Sequence, residues 1–157
     1  MSSISSEHFT EALRSLLDET FDNVQGYFLD KGTSLFETLA EISAAEASIP
    51  VGGRCATLAA QVKHVAFYLD VTERFVRTST PTRVDWDEIW RTVSSVTPEE
   101  WTAFQAELRT NYNRILALID DMPGWSNADE IGGAMAVVAH TAYHLGEIRQ
   151  ALCTIKS

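Results

Sequence analysis

The chain has 157 residues, of which 45% are hydrophobic and 22% charged, and its formal net charge is −10. This length and composition are typical of a single soluble globular domain, spanning residues 1–157, that can bury a substantial core. There are 12 Lys and Arg against 22 Asp and Glu, with no basic run. Nucleic-acid binding and docking on an anionic membrane are therefore disfavoured, because both depend on clustered positive charge.

The sequence also argues against export and membrane insertion. Its N-terminal stretch, MSSISSEHFTEALRSLL, lacks the basic segment and apolar core of a signal peptide. No apolar run approaches the roughly 18 residues of a membrane span. Cys55 and Cys153 lie far apart and outside any C-x-x-C pattern, which indicates neither a disulfide framework nor a cysteine zinc site. We therefore expect a cytoplasmic protein.

Apolar residues follow helical spacing through most of the chain, and no segment is typical of a strand. A first helix is predicted near residues 7–24. After an interruption rich in glycine, a shorter helix is predicted near 33–46, with Thr33 or Ser34 as its N-cap. The segment SIPVGGR that follows is rich in helix breakers and is predicted to be a loop.

Three longer helices are predicted in the rest of the chain. The first runs from its N-cap Thr57 to about Arg77, and residues 78–97 form a mixed connection. The second begins at Thr97-Pro98-Glu99-Glu100, where threonine caps the helix, proline fills the first turn and the acids complement the helix dipole. The third begins after Asn127. The apolar faces are predicted to include Leu58, Val62, Val65, Leu69 and Phe75 in the first of these helices, and Ile131, Met135, Val138, Ala142, Leu145, Ile148 and Leu152 in the third.

Long helices joined by modest connections, each with one apolar stripe, predict an all-α fold and a four-helix bundle in particular. The arrangement of the N-terminal part stays open at this point. The helices near 7–24 and 33–46 either form one interrupted arm, or the first of them packs across a bundle made by the others.

Histidines are the residues that can carry chemistry. His140 and His144, in the segment H-T-A-Y-H, lie four positions apart, which places their Cβ atoms about 5–6 Å apart on one helix face. Their nitrogens can then share a metal ion at about 2.0–2.1 Å. Thr141 stands where the metalloprotease motif H-E-x-x-H carries its general base, so that mechanism is disfavoured. His8, beside Glu7 near the N-terminus, is expected to be exposed and without a role.

A third ligand is expected from His64, near the middle of the long helix that begins at Thr57. Facing helices of a bundle bring mid-helix residues to similar heights, and metal sites are often built this way. Three neutral imidazoles would leave coordination positions open for water or substrate, which is typical of a catalytic site. The structural alternative is that these histidines are core residues, each hydrogen-bonded to a tyrosine or a carboxylate.

The order of these residues resembles the DinB-like superfamily of metal-binding bundles. In that family a histidine on the second bundle helix joins an H-x-x-x-H on the last helix, typically followed by x-G-Q. Here His64 is followed after a long gap by His140-Thr-Ala-Tyr-His144-Leu-Gly146-Glu147. The similarity extends from about Leu35 to Leu152 and includes Thr57, seven residues before His64. It implies a bundle of DinB-like type with an extra or interrupted N-terminal helix, and a divalent metal held by the three histidines.

Two positions depart from the family pattern. Glu147 replaces the usual glutamine, so a carboxylate lies one turn after His144. It is the candidate catalytic residue, either orienting a metal ligand or accepting a proton; the alternative is a surface neighbour of Arg149 with no role. Ala60 stands where many relatives have an acidic residue, which only weakens the start of that helix.

Three aromatic residues are candidates for a pocket wall. Tyr68 follows His64 by one helical turn and is the better candidate. Trp86 and Trp90 either line the mouth of a pocket or simply pack, which is the commoner role of aromatic residues at this spacing.

The resemblance implies an enzyme, with S-transfer from a low-molecular-weight thiol as the first expectation. The same ligands would serve a metal-dependent hydrolase. Two alternatives lie outside enzymology: a dimeric bundle that binds a metal or small ligand without catalysis, and a helical interaction protein that binds no metal. Imidazole ligands suit several divalent ions, zinc and nickel being expected first. A homodimer is expected because small bundles commonly pair.

Overall fold

The computed structural model describes residues 4–53, 55–78 and 83–156, and within these ranges it is helical and contains no strand. The predicted all-α class is thereby confirmed. A 3₁₀ turn occupies Val51–Gly53. None of the helices in the described ranges combines the length and apolarity needed to cross a membrane. In chain order the helices are α1 (Ser6–Phe21), α2 (Leu35–Ala40), α3 (Ala44–Ala47), α4 (Leu58–Thr78), α5 (Glu88–Thr92), α6 (Pro98–Asp121) and α7 (Ala128–Ile155).

The long helices begin where the predicted caps stand. Thr57 Oγ1 accepts a hydrogen bond from the Ala60 N–H at 3.2 Å. At α6, Thr97 Oγ1 accepts from the Glu100 N–H at 3.2 Å, while the Glu100 carboxylate accepts from the Thr97 N–H at 2.8 Å. Asn127 caps α7 through two backbone N–H groups of its first turn. These bonds satisfy amide groups that a helix start otherwise leaves without partners.

One hydrophobic cluster joins the four long helices. α4 packs against both α6 and α7, and α7 also packs against α1. α1 therefore contributes to the same core as the other long helices and is separated from α2 by residues 22–34. Fully buried members of the cluster from the four helices are Leu17 and Phe21 in α1, Leu58 and Leu69 in α4, Leu108 in α6, and Ile148 in α7.

Two residues assigned to apolar faces from the sequence are exposed. Phe75 is 55% exposed and Met135 is 57% exposed. In α7 the predicted Leu145, Ile148 and Leu152 are buried, and Val137 and Thr141 are buried with them. α7 has apolar or small side chains around most of its circumference, so periodicity alone does not fix which side of this helix is buried.

A polar contact between α4 and α6 fixes their relative position. Asn111 Nδ2 donates to the carbonyl oxygen of Ala66 at 2.9 Å in the interior. The Arg114 guanidinium binds Asp70 at 3.0 Å and Glu73 at 2.5 Å. A misplaced pair of helices would leave the buried Asn111 and Glu73 side chains without these partners, which is costly. The register of α4, and with it the position of His64, is therefore tightly specified.

The connection between α1 and α2 is organised by one buried carboxylate. Glu19 is fully buried, and its two oxygens accept backbone N–H groups of Gln25, Tyr27, Phe28 and Leu29 at 2.6–3.0 Å. Burial alone would raise the pKa of Glu19, but these four hydrogen bonds outweigh it and lower the pKa to about 2.

We expect Glu19→Gln to lower the free energy of unfolding at pH 7 by about 1–3 kcal/mol, because a neutral amide accepts these bonds more weakly and leaves some N–H groups unpaired. The folded pKa of about 2 lies below the ordinary 4.5. The stability due to Glu19 is therefore complete above pH 4.5 and disappears as pH falls through 2. Urea unfolding of wild type and variant should converge over that window. The exposed Glu11→Gln is the matched control, and parallel curves would contradict this role of Glu19.

Candidate metal centre

The structure brings His64, His140 and His144 together between α4 and α7. Their ring centres are 5.1 Å apart for His64 and His140, 4.8 Å for His64 and His144, and 4.5 Å for His140 and His144. One ligand nitrogen from each ring lies within 4.8 Å of the others. His64 lies only six residues after the start of α4, whereas the pair is central in α7. The expectation that all three are mid-helix residues is therefore wrong for His64, although the predicted proximity is confirmed.

These spacings fit a divalent metal ion. Three imidazoles bound to one ion at about 2.1 Å have ring centres roughly 4.5–5.2 Å apart when their angles lie between octahedral and tetrahedral values. His64 Nε2 and His140 Nε2 are 3.2 Å apart, close to the separation of about 3.3 Å between two nitrogens of a tetrahedral zinc site. The three histidines could thus hold an ion with only small movements of their rings.

Two of the rings lack the protein partners expected of ordinary core histidines. The Nδ1 atoms of His64 and His140 are buried and have no hydrogen-bond partner among the described residues. Buried polar atoms are normally paired, because leaving them unpaired costs free energy. The alternative in which each histidine is held by a tyrosine or a carboxylate therefore does not describe these two.

The electrostatic environment favours neutral rings. Burial, aided by the neighbouring His144, lowers the pKa of His64 to about 4. Burial likewise lowers the pKa of His140 to about 4. Burial also lowers the pKa of His144, although the carboxylate of Glu147 opposes this shift. At pH 7 all three rings are neutral, and only a neutral imidazole has a free lone pair for a metal.

His144 differs from the other two because its Nδ1 has partners. This atom is 2.5 Å from Gln61 Oε1 and 3.1 Å from Glu147 Oε2. Gln61 Nε2 in turn donates to Glu147 Oε2 at 3.1 Å. The candidate catalytic residue Glu147 thus lies beside Nδ1 of His144. Arg149 donates to Thr38 Oγ1 at 3.1 Å, so its hydrogen bond is directed toward α2.

Gln61 was not identified from the sequence. It precedes His64 by three positions on α4, which places both side chains on the same helix face. This separation of three residues from His64 was the feature of the sequence that could have identified Gln61. A glutamine is common on helix surfaces, however, and only the packing of α4 on α7 shows that this one meets His144.

Aromatic rings lie on the outer side of the histidines. Tyr68 stacks on His140 with ring centres 3.8 Å apart and planes at 15°. The ring centres of Trp90 and His64 are 4.5 Å apart. Those of Trp86 and Tyr68 are 6.2 Å apart. Tyr68 is therefore beside the site as predicted, and Trp90, carried by the short helix α5, packs directly on a candidate ligand.

Thr141, Tyr143 and His8 do not belong to the group of candidate metal ligands. Thr141 is fully buried, and its hydroxyl has no partner among the described residues. Tyr143 is 62% exposed, and its hydrogen bond to Glu147, together with the charge of that carboxylate, raises the pKa of the phenol. His8 is exposed at the start of α1, as predicted.

Comparisons of this chain with family models, with curated proteins and with solved structures find no match. The resemblance to the DinB-like superfamily therefore stays a prediction that rests on the order of the motifs. The chemistry of the site follows from its own residues.

We expect Trp90 to report metal binding by fluorescence. Because its ring packs on His64, a Cu²⁺ or Ni²⁺ ion held by the histidines would quench its emission at short range. Titration of wild type should show saturable quenching, most of which is lost in Trp90→Phe. Trp125→Phe is the matched control, since that indole packs on Phe9 in α1. Equal quenching in wild type and Trp90→Phe would place the ion elsewhere.

Proposed function

We propose that this chain is a divalent-metal-dependent enzyme with a four-helix bundle of DinB-like type, in which His64, His140 and His144 hold the metal. The observation that carries the proposal is the convergence of three neutral imidazoles, from two helices, at spacings that suit one ion. The order of the motifs along the chain supports the DinB-like assignment. The participation of α1, α4, α6 and α7 in one core supports the bundle.

The number of ligands supports a catalytic site over a structural one. Within the described ranges, no cysteine, carboxylate or fourth histidine joins the three ligand atoms. Structural zinc sites are usually closed by four protein ligands, whereas catalytic sites keep a position for water or substrate. Three nitrogen ligands also suit zinc and nickel, which we propose as the first candidates.

As the reaction we propose S-transfer from a low-molecular-weight thiol to an electrophilic carbon. A divalent ion held by His64, His140 and His144 would supply Lewis acidity, which would favour the thiolate form of the cosubstrate. The sulfur forms a bond to carbon, the bond between that carbon and its leaving group breaks, and the thiol proton passes to water. The side chain of Glu147 contacts Nδ1 of His144 at 3.1 Å, which supports the first of its two predicted roles, that of orienting a metal ligand.

The first test of the proposal is metal content. Untagged protein, incubated with zinc, nickel or manganese and freed of excess ion, should retain about one equivalent of one of them, as expected for a single site. His140→Ala should lose it, because two imidazoles bind far more weakly than three. The exposed His8→Ala is the matched control and should retain the metal. A wild type that stays empty with all three ions would contradict the three-histidine site.

The second part of this test concerns the reaction. With glutathione and 1-chloro-2,4-dinitrobenzene as probes, the loaded wild type should form the thioether faster than the uncatalysed mixture, and His140→Ala should not. Thiol-independent hydrolysis of an activated ester would favour a metal-dependent hydrolase instead. Stoichiometric metal without turnover of either probe would favour a non-enzymatic module.

A further inference from the structure

Gln61 connects the two helices that form the metal site. It lies on α4 one turn before His64, and its side-chain amide reaches across to α7. There it contacts His144 and Glu147, which are three positions apart on that helix. These three side chains form a closed ring of hydrogen bonds on the Nδ1 side of the His144 imidazole.

The chemistry of these groups fixes the direction of each hydrogen bond. An ionised carboxylate can only accept, so the amide nitrogen of Gln61 must be the atom that faces Glu147, 3.1 Å from its Oε2. The amide oxygen of Gln61 then faces His144 Nδ1 at 2.5 Å. Since that oxygen also only accepts, Nδ1 must carry the hydrogen, and the lone pair of the neutral ring is left on Nε2.

We infer that Gln61 is a positioning residue that holds His144 in the Nδ1–H tautomer, with the Nε2 lone pair free for the metal shared with His64 and His140. The inference deepens the proposed function and rests on it for the identity of the metal site. Hydrogen bonds from the second ring nitrogen commonly orient metal-binding histidines and raise their basicity. No contact between Gln61 and the ion is required.

Glu147 alone does not account for the orientation of His144. Its oxygen is 3.1 Å from Nδ1 and is also occupied by the Gln61 amide nitrogen. Its side chain is 38% exposed and lines a groove of about 410 Å³ that Gln61 and Gly146 also line. The Glu147 carboxylate is therefore open to solvent, which would compete with Nδ1 for its oxygens. The Gln61 oxygen makes the shorter contact and is therefore the principal acceptor.

Only one of the three histidines is controlled in this way. The Nδ1 atoms of His64 and His140 have no partner among the described residues, so Gln61 should influence neither of them directly. A change at Gln61 is thus expected to alter the tautomer of His144 and to leave the tautomers of the other two rings unaltered. This selectivity separates a positioning role from a general loss of structure.

The tautomer can be measured without any metal. In metal-free protein labelled with ¹⁵N, long-range ¹H–¹⁵N correlation spectra distinguish the protonated ring nitrogen from the free one. Wild type at pH 7.5 should show His144 as the Nδ1–H form. In Gln61→Leu this form should give way to a mixture, whereas Gln61→Glu should retain it, because a carboxylate at that position still accepts from Nδ1. Gln150→Leu, an exposed glutamine of the same groove, is the matched control.

Metal affinity provides the second readout. Competition with a chromophoric chelator should show zinc binding about 10–100-fold weaker in Gln61→Leu than in wild type or Gln150→Leu, as is usual when such a hydrogen bond is lost. Thermal unfolding of the metal-free proteins checks that Gln61→Leu remains folded. If it does not, Gln61→Met, which keeps an unbranched side chain of similar length but lacks the amide, replaces it in both measurements with the same expected results.

Two results would overturn the inference. One is a wild-type His144 in the Nε2–H form. The other is a Gln61→Leu variant that keeps both the Nδ1–H form and an affinity within about twofold of wild type, which would assign the orientation to Glu147. Both results can be told apart from failure of the proposed function, which would appear as a wild type that binds no metal. If no metal binds at all, the tautomers of the metal-free protein still test Gln61.

Discussion

The packing of α4 against α7 is the contact on which the candidate site depends. α4 supplies His64 and Gln61, and α7 supplies His140, His144 and Glu147. Neither helix alone carries three nitrogen ligands. The relative position of the two helices is fixed elsewhere, by the apolar core that they share. Polar contacts also attach α4 to α6. A small sliding of α4 along α7 would separate the imidazoles and break the hydrogen bonds around His144 together.

The surroundings of the histidines make metal binding favourable in two ways. Burial keeps the rings neutral at physiological pH, so that an ion does not have to displace protons. The contacts of Gln61 and Glu147 with one ring select the tautomer that leaves a lone pair facing the other two. Aromatic packing by Tyr68 and Trp90 limits the movement of the rings. The site is thus partly organised before an ion arrives, which reduces the entropic cost of binding.

The local parts of this structure were predictable from sequence, and the relations between helices were less so. The caps at Thr57 and Thr97 depend on neighbouring residues only, and the pairing of His140 with His144 follows from helical geometry. The buried side of α7 was predictable only in part, because that helix is apolar around most of its circumference. Leu145, Ile148 and Leu152 are buried as predicted, whereas Met135 is exposed. The role of Gln61 depends on contacts across two helices, for which a single sequence carries no periodic signal.

The central claim is that three imidazoles on two helices bind one ion. X-ray absorption at the zinc edge, on protein loaded with one equivalent of zinc, tests this claim most directly. Three nitrogen ligands at about 2.0–2.1 Å, with the outer scattering typical of imidazole rings, are expected. His64→Ala should remove one imidazole from that pattern. A zinc spectrum without imidazole scattering, or one unchanged by His64→Ala, would contradict the claim.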